Sequence, residues 1–355
     1  MKKRHINIPI FIPHLGCPNG CVFCNQRSIS GHLEFHIEDV ERDIEEALST
    51  IGEEDSCEIA FFGGSFTGID RSLMIALLDI AQGYCDRGRV EAIRLSTRPD
   101  YIDSEILDIL KKYSVRTVEL GLQSMDSDVL LASKRGHTAR IAEEACRMVK
   151  EWGFELIGQM MIGLPSSDVE KEKETARRIC ALGADGARVY PTVVFYDTEL
   201  AEMTAKGEYI PLDTDGAAMR TKEVLDIFDR QGVPCIRVGL CSGENLADET
   251  KVMGGANHAA IGELAMGELY FDRICAEIER CGFFGGELTI YVAEGNVSKA
   301  VGQKKKNKLR ICEKYGFSRV KVLEKKSILS YNILLKHFPR KENNRVSEIS
   351  GASRL

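Results

Sequence analysis

The chain has 355 residues, of which 44% are hydrophobic and 28% are charged, and this composition excludes an intrinsically disordered polypeptide. No apolar run reaches the length of about 18 residues that a membrane-spanning helix needs, so we expect no membrane partner. The formal net charge is −7, but residues 299–355 contain 16 Lys and Arg against 4 Asp and Glu, whereas residues 1–298 contain 31 against 50. A cationic segment in an acidic chain favours a polyanionic partner for that segment.

The 12 cysteines are spread along a chain that is long enough to fold without disulfides. We therefore expect a reducing, cytoplasmic location. The N-terminus imitates a bacterial lipoprotein signal, since a basic start is followed by Leu15-Gly16-Cys17. The apolar segment that such a signal needs is interrupted by four residues, Asn7, Pro9, Pro13 and His14, which argues against this interpretation.

In chain order, short β-rich apolar runs alternate with amphipathic helical patterns. The predicted strands are 6–13, 58–62, 92–96, 117–122, 156–162 and 187–195, and the predicted helices are 37–51, 71–87, 104–113, 138–152 and 169–182. Six such repeats predict an α/β fold, a partial (βα)6 barrel with a parallel sheet. A strand at 234–239 and a helix at 258–281 extend this core.

The pattern changes after Gly285-Gly286. A strand at 287–292, a helix at 296–301, a Lys-rich loop, a helix at 308–315 and a strand at 318–324 predict a small β-α-α-β module. We therefore expect a barrel with its extension at 1–284, a basic α+β module at 285–340 and a flexible tail at 341–355.

Three cysteines lie close together after the first predicted strand: Cys17, Cys21 and Cys24 form the pattern Cys-x3-Cys-x2-Cys. Three thiolates can hold three irons of a [4Fe-4S] cluster, and the fourth iron then stays open to a small molecule with an amine and a carboxylate. The alternative is a zinc site with His14 or His32 as a fourth ligand. For the cysteines elsewhere in the chain we expect ordinary burial.

The cysteine spacing resembles that of the radical S-adenosylmethionine superfamily. The resemblance implies a partial (βα)6 barrel, a [4Fe-4S] cluster held by the three cysteines, S-adenosylmethionine as cosubstrate, and an electron donor such as flavodoxin or ferredoxin. It also implies that Phe23 lies near the adenine, that Gly63 and Gly64 bind the methionine amine, and that Ile162 contacts the adenine. A pair of glycines also marks any tight turn.

Polar residues end the third and fourth predicted strands, where barrel enzymes place their sites. Arg98 follows the third strand, and Gln123 and Ser124 follow the fourth. A guanidinium, an amide and a hydroxyl group suit the carboxylate and ribose hydroxyls of the cosubstrate. The alternative is that Arg98 and Glu119 form a structural ion pair at the barrel rim.

Residues 6 to 275 are similar to the radical domain of the Elongator catalytic subunit. The similarity lies in the segments Ser96-Thr97-Arg98-Pro99-Asp100, Tyr190-Pro191-Thr192 and Gly262-Glu263-Leu264. Two features differ: the Elongator enzyme has a longer gap between its first two cysteines, and it carries an acetyltransferase domain for which this chain has no motif. The resemblance therefore implies the cofactor chemistry and not acetyl transfer.

The Lys-rich loop resembles that of a KH module, in which a Gly-x-x-Gly loop between two helices clamps a nucleic-acid backbone. Here the loop reads Gly302-Gln303-Lys304-Lys305, with Lys in place of the second Gly. The predicted RNA contacts are Gly302, Lys304, Lys305, Lys306, Lys308 and Arg310. The alternative is a solvated start of a Lys-rich helix, and no aromatic residues alternate with the lysines of this run.

Together these features predict an iron-sulfur enzyme that reductively cleaves S-adenosylmethionine to a 5′-deoxyadenosyl radical and acts on tRNA, rRNA or a ribonucleoprotein. Two other hypotheses remain. One is an enzyme similar to anaerobic coproporphyrinogen oxidase, whose branch of the superfamily shares the cysteine spacing. The other is a non-catalytic iron-sulfur protein that binds RNA.

Overall fold

The computed structural model describes residues 4–12, 15–17, 20–25, 35–52, 54–240 and 250–340. The predicted tail at 341–355, and the possible zinc ligands His14 and His32, lie outside the described residues. The chain divides into two compact units, Met1–Ala265 and Met266–Leu355. In the described part of the chain, none of the helices combines the length and the hydrophobicity that a membrane span requires.

A curled, parallel sheet of seven strands forms the centre of the first unit. Its strand order is β1-β2-β3-β4-β5-β6-β8, with β1 His5–Ile12, β2 Ser56–Gly63, β3 Ala92–Thr97, β4 Val115–Gln123, β5 Glu155–Ile162, β6 Gly186–Pro191 and β8 Cys235–Val238. Strand β7 Val193–Phe195 pairs antiparallel with β9 Val252–Gly255 in a separate two-stranded sheet. The predicted partial barrel is confirmed, with one strand more than six.

The predicted sixth strand, 187–195, is divided into β6 and β7. Thr192 lies between them, and both its backbone N–H and its hydroxyl group donate to the carbonyl oxygen of Ile162, at 2.9 and 2.7 Å. These two hydrogen bonds turn the chain at the end of the main sheet, so Val193 begins a new pairing.

Helices follow the strands and form the outer layer of the barrel. They are α1 Val40–Ser49, α2 Arg71–Asp86, α3 Ser104–Leu110, α4 Ser127–Ala132, α5 Ala139–Glu151, α6 Val169–Ala181, α7 Glu199–Ala205 and α8 Thr214–Arg230, with 3-10 turns at Ile37–Asp39, Phe66–Gly68 and Pro99–Tyr101. Helix α9 Ile261–Cys281 begins in the first unit, and most of its residues belong to the second. Seven of the helices begin with an Asp or Thr side chain that accepts a backbone N–H of the first turn, which satisfies a donor that the helix leaves unpaired.

The two sides of the curled sheet have different chemistry. Residues such as Ile59, Leu95 and Leu120 are fully buried in the core between sheet and helices. Because side chains alternate along a strand, the residues between them face the concave side, and these include the charged groups Glu119 and Arg94. The concave side is therefore polar where a small molecule could bind.

The second unit contains a three-stranded sheet. Strand β10 Glu287–Val292 lies in the middle, parallel to β11 Arg319–Glu324 and antiparallel to β12 Leu334–Phe338. Helices α10 Val297–Val301 and α11 Lys306–Tyr315 connect β10 to β11, with a 3-10 turn at Gln303–Lys305. The β-α-α-β order agrees with the sequence pattern, and β12 is an additional strand.

The core of the second unit also takes residues from α9. Tyr270, Ile274 and Ile278 are fully buried in the same cluster as Leu288 and Ile290 of β10. This packing is why the unit begins at Met266, before residue 285, where the sequence pattern changes.

Candidate cluster and cofactor site

The three-cysteine loop follows β1, at the carboxyl end of the sheet. Cys21 is buried, Cys17 and Cys24 are half-buried, and all three are free of disulfides. The segment is anchored at Val22, whose N–H donates to the carbonyl oxygen of Ser133 and whose own carbonyl oxygen accepts from the N–H of Leu200. The loop is therefore held against the segments after β4 and β7.

Two buried arginines point at Cys21. The Nη1 atom of Arg135 lies 3.5 Å from Cys21 Sγ, and the Nη1 atom of Arg98 lies 4.0 Å from the same sulfur. Both guanidinium groups are almost inaccessible to solvent. Burial raises the pKa of the Cys17 thiol, and the charges of Arg135 and Arg98 oppose that increase. Cationic donors at this position stabilise sulfur ligands in the thiolate form.

The donor set fits an iron-sulfur cluster by its chemistry. The distances between side chains do not themselves define a metal site, because within the described part of the chain no three His, Cys, Asp or Glu side chains converge closely enough to hold a metal ion. The sulfurs of such a cluster accept hydrogen bonds and carry negative charge, and three free thiols beside two guanidinium groups supply that environment. Cys17, Cys21 and Cys24 are the residues that would hold it.

The glycine pair at the end of β2 packs against the start of the cysteine loop. A Cβ atom on Gly64 would collide with the carbonyl oxygen of Leu15, and one on Gly16, which has a φ of +71°, would collide with that of Ser65. Ser65 N–H also donates to Leu15 O at 3.0 Å. The glycines thus permit two backbone segments to pack directly, and the contact of Gly63 and Gly64 with a methionine amine stays a prediction.

Arg98 does not form the ion pair with Glu119 that the sequence offered as an alternative. Its Nε and Nη2 atoms donate to the two carboxylate oxygens of Asp100, at 2.9 and 2.8 Å, and Nη2 also donates to Arg135 O at 2.6 Å. Burial alone would raise the pKa of Asp100, but the two hydrogen bonds from Arg98 bring it below its ordinary value. Arg98 therefore links the end of β3 to the segment that carries Arg135.

Gln123 has two unusual features at the end of β4. Its backbone adopts a φ of +65°, in the left-handed region that costs a residue with a Cβ about 1–2 kcal/mol. Its Oε1 atom is buried and accepts no hydrogen bond from any described residue. A strained backbone and an unsatisfied buried acceptor agree with a contact to a ligand, and for Gln123 this contact stays a prediction. The neighbouring Ser124 is buried, and its Oγ accepts from the N–H of Asp126 at 3.1 Å.

Two other predicted cofactor residues lie in apolar surroundings. The Ile162 side chain is fully buried in the core, and its carbonyl oxygen is taken by Thr192. Phe23 is partly buried and packs on the small apolar cluster that contains Val22 and Leu200. A contact of either residue with adenine stays a prediction, and for Ile162 these contacts do not favour it.

Sequence reasoning did not assign Arg135 or His137 to the site. His137 is buried, and its Nε2 atom has no hydrogen-bond partner among the described residues. Burial, assisted by the charge of Arg135, lowers the pKa of His137 to about 4, so the imidazole is neutral at pH 7. The sequence signal for these two residues was the segment Arg135-Gly136-His137, in which two side chains that can carry a positive charge flank a glycine shortly after α4. Gly136 has a φ of +84°.

A buried ionic network lies farther down the concave face. Glu119 accepts hydrogen bonds from Arg94 at 3.0 Å, Arg188 at 2.9 Å and Gln159 at 2.8 Å. Arg94 also donates to Glu58 at 3.0 Å. These groups link five strands, β2 to β6, so a charged network of hydrogen bonds crosses the concave face of the sheet.

In the second unit, the Lys-rich loop has a strained backbone. Lys304 and Lys305 are exposed and adopt φ values of +50° and +64°. Lys306 and Arg310 instead form ion pairs with Glu268, at 3.2 and 2.8 Å, and Arg310 stacks over Phe271. Gly302 and Lys308 are half-buried. Among the predicted RNA contacts, Lys304 and Lys305 are therefore exposed without an ion pair to a described residue, whereas the charges of Lys306 and Arg310 are already paired with a carboxylate.

Two sequence profiles match this chain: residues 11–179 match the radical SAM superfamily, and residues 184–270 match the radical SAM C-terminal domain. The uncharacterized protein MJ0486 of Methanocaldococcus jannaschii is 30% identical over 224 residues, which cover 60% of this chain and 68% of the relative. The chain belongs to the radical SAM superfamily, whose members are enzymes that use a [4Fe-4S] cluster and S-adenosylmethionine.

The resemblance to Elongator is also confirmed. The tRNA uridine(34) acetyltransferase of Methanocaldococcus jannaschii is 34% identical over 126 residues, which cover 35% of this chain but 23% of the relative. The archaeal Methanocaldococcus infernus Elp3, solved with an N-terminal deletion, has the same fold with a TM-score of 0.59 and 20% identity, over 79% of this chain and 64% of that one. The match with the acetyltransferase thus spans about a quarter of its length.

Proposed function

We propose that this protein reductively cleaves S-adenosylmethionine and uses the product to remove a hydrogen atom from an RNA-linked substrate. The observation that carries the proposal is the buried pair Arg98 and Arg135 beside Cys21, in a loop with three free cysteines at the carboxyl end of the sheet. When bound, a [4Fe-4S] cluster supplies the electron that splits S-adenosylmethionine into methionine and a 5′-deoxyadenosyl radical.

The residues of the chain have distinct roles in this proposal. Cys17, Cys21 and Cys24 hold the cluster, and the two arginines balance the charge of the ligand sulfurs. Gln123 offers an unpaired buried oxygen for a polar hydrogen of the cosubstrate. Phe23, Gly63, Gly64, Ser124 and Ile162 complete the candidate pocket on the strength of the family resemblance.

An RNA substrate is supported by charge. Lys304 and Lys305 are exposed, and neither forms an ion pair with a described residue. Cations at a helix-loop-helix junction suit a phosphate backbone, and a relative named as a tRNA uridine(34) acetyltransferase shares the radical domain. The acetyl transfer in that name is not proposed for this chain, and the cytoplasm remains its proposed location.

The first experiment measures 5′-deoxyadenosine. The protein is reconstituted without oxygen, mixed with dithionite and S-adenosylmethionine, and compared with Cys21→Ala and with Cys146→Ala, which alters a buried cysteine outside the loop. We expect product from the parent and from Cys146→Ala, and none from Cys21→Ala. No product from a fully loaded parent would favour the non-catalytic hypothesis, and turnover of coproporphyrinogen would favour the oxidase hypothesis.

The second experiment identifies the substrate. RNA crosslinked to the purified protein is sequenced, and nucleosides from a deletion strain are compared with those of the parent strain by mass spectrometry. We expect one modified nucleoside to disappear from an RNA that crosslinks. If Lys304→Glu combined with Lys305→Glu retained RNA as well as the parent does, the KH-like loop would have to be abandoned as the contact.

A further inference from the structure

The outward face of the three-stranded sheet in the second unit carries cations and aromatic rings. Leu288, Ile290 and Val320 point to the buried side, where α10 and α11 pack. The alternate residues point to the opposite side and form what we term the cationic sheet face: Glu287, Thr289, Tyr291, Arg319, Lys321, Leu323, Leu334, Lys336 and Phe338. The face thus lies away from the Lys-rich loop, which joins the two helices.

The register of the strands places two lysines on either side of one threonine. Thr289 of the central strand pairs with Lys321 of β11 and with Lys336 of β12. Thr289 is buried in the centre of an otherwise open face, while both lysines are exposed. Neighbouring strands lie about 4.8 Å apart, so the two stems can cover Thr289 while their ammonium groups reach solvent.

These cations are available to a ligand. Among the described residues 250–340, none forms an ion pair with Lys321, Lys336 or Arg319. By contrast, Lys314 on the helical side is paired with Glu279 at 3.0 Å. Lys321, Lys336 and Arg319 therefore have charge left for a polyanion, in addition to the unpaired Lys304 and Lys305 of the Lys-rich loop.

Two aromatic rings lie among these cations. Tyr291 occupies the middle strand and Phe338 the edge strand, and Phe338 is 44% exposed. Neither ring stacks on another aromatic ring within the described residues; instead, Lys325 Nζ lies 5.8 Å from the Tyr291 centroid and Lys336 Nζ lies 5.0 Å from that of Phe338. Open rings between cations are the arrangement on which unpaired bases stack while their phosphates are neutralised.

We propose that the cationic sheet face binds a single-stranded segment of RNA. A protein partner with an apolar surface would be met by unpaired charges, which must lose water without compensation, whereas an RNA strand offers both phosphates and rings. This inference rests on the RNA substrate of the proposed function, and it assigns binding to a surface distinct from the Lys-rich loop.

The test uses the full-length protein and fluorescence anisotropy with a labelled single-stranded RNA and with tRNA, over a series of salt concentrations. One variant combines Lys321→Gln with Lys336→Gln, and a second combines Tyr291→Leu with Phe338→Leu, which keeps apolar strand residues. The matched control combines Arg89→Gln with Lys112→Gln, which removes the same charge from exposed turns in the first unit. Thermal melts establish that each variant is folded.

We expect the aromatic variant to bind single-stranded RNA roughly tenfold more weakly, since one or two stacked bases are lost. The lysine variant should bind more weakly with a salt dependence reduced by about one phosphate for each lysine that makes contact, and the control should match the parent.

Unchanged affinity in both folded sheet variants would overturn the proposal. The proposal would also be overturned if the sheet variants bound RNA normally but no longer bound a protein partner, because the face would then be a protein-binding surface. A parent that binds RNA through this face but forms no 5′-deoxyadenosine would refute the proposed function and leave this inference standing.

Discussion

Arg135 donates one hydrogen bond from Nη1 to the sulfur of Cys21, at 3.5 Å, and one from Nη2 to the carbonyl oxygen of Gly121, at 2.6 Å. The guanidinium is therefore fixed between the end of β4 and a candidate cluster ligand. A Cβ atom on Gly121 would lie only 2.8 Å from Nη2, so the glycine leaves the space that the arginine occupies. The strand end therefore holds the Arg135 side chain in place and fixes the position of its charge.

Replacing Arg135 should lower the reduction potential of the bound cluster. A buried positive charge favours the reduced, more negative form, so Arg135→Gln removes that stabilisation. We expect a shift on the order of 100 mV to more negative potential, measured by electron paramagnetic resonance during a redox titration of reconstituted protein.

Two further variants serve as controls for Arg135. Arg135→Lys keeps the charge and should retain most of the potential, whereas Lys134→Gln removes an exposed charge paired with Glu199 and should leave it unchanged. If Arg135→Gln gave the parent potential with the parent iron content, the arginine would not act on the cluster.

Two glycine-to-alanine substitutions should have opposite effects on stability. Gly64→Ala drives a methyl group into the backbone of Leu15 and should lower the free energy of unfolding by about 1–3 kcal/mol. Gly83→Ala lies in the interior of α2 with no atom within 4 Å of the new Cβ, and it should raise that free energy by about 0.5–1 kcal/mol. Denaturation in urea measures both values, and iron content after reconstitution should fall only for Gly64→Ala. Equal stability of the two variants would show that the cysteine loop tolerates displacement.

The barrel could be predicted from the sequence because its central strands are short, almost fully buried apolar runs, and helices separate them along the chain. The predicted strand at 92–96 differs from β3 by one residue, since its limits are set by turn residues on both sides. The break at Thr192 could not be foreseen, because it depends on the carbonyl oxygen of Ile162, a contact between two different strands. Strand β12 was missed because Leu334 and Leu335 are adjacent, so the segment lacks the alternation that marks a half-buried strand.

For the site, spacing predicted the cysteines but not the groups around them. Cys17, Cys21 and Cys24 lie within eight residues of one another, so a local pattern suffices to find them. Arg135 is 114 positions from Cys21, and only the parallel order of the strands brings the two together. The alternative that Arg98 pairs with Glu119 fails because Asp100, two residues away, holds the guanidinium, whereas Glu119 accepts from Arg94 and Arg188. The predicted contact of Arg98 with the cosubstrate stays a prediction.

Removing the carboxylate of Glu119 should destabilise the barrel severely. Glu119→Ala leaves Arg94 and Arg188 buried without their shared partner, and breaking such a network costs about 3–5 kcal/mol. The control Glu105→Ala removes an exposed carboxylate paired with Arg71 and should cost less than about 1 kcal/mol. Guanidinium denaturation measures both, and similar values for the two variants would show that the buried network contributes little.

His137 should make the stability of the cluster-free protein depend on pH. Its pKa is lowered to about 4 in the folded protein by burial and by Arg135, whereas the unfolded chain takes up a proton near pH 6.5. Between these values the unfolded state binds more protons, so the free energy of unfolding falls as the pH decreases from about 6.5 to 4. The full effect amounts to about 3 kcal/mol.

His137→Gln cannot titrate, so it should lose this part of the pH dependence when urea denaturation is measured at a series of pH values. His258→Gln, at an exposed position, should keep it. If His137→Gln and the parent had parallel stability profiles over this range, the imidazole would have to be protonated, or accessible to water, in the folded protein.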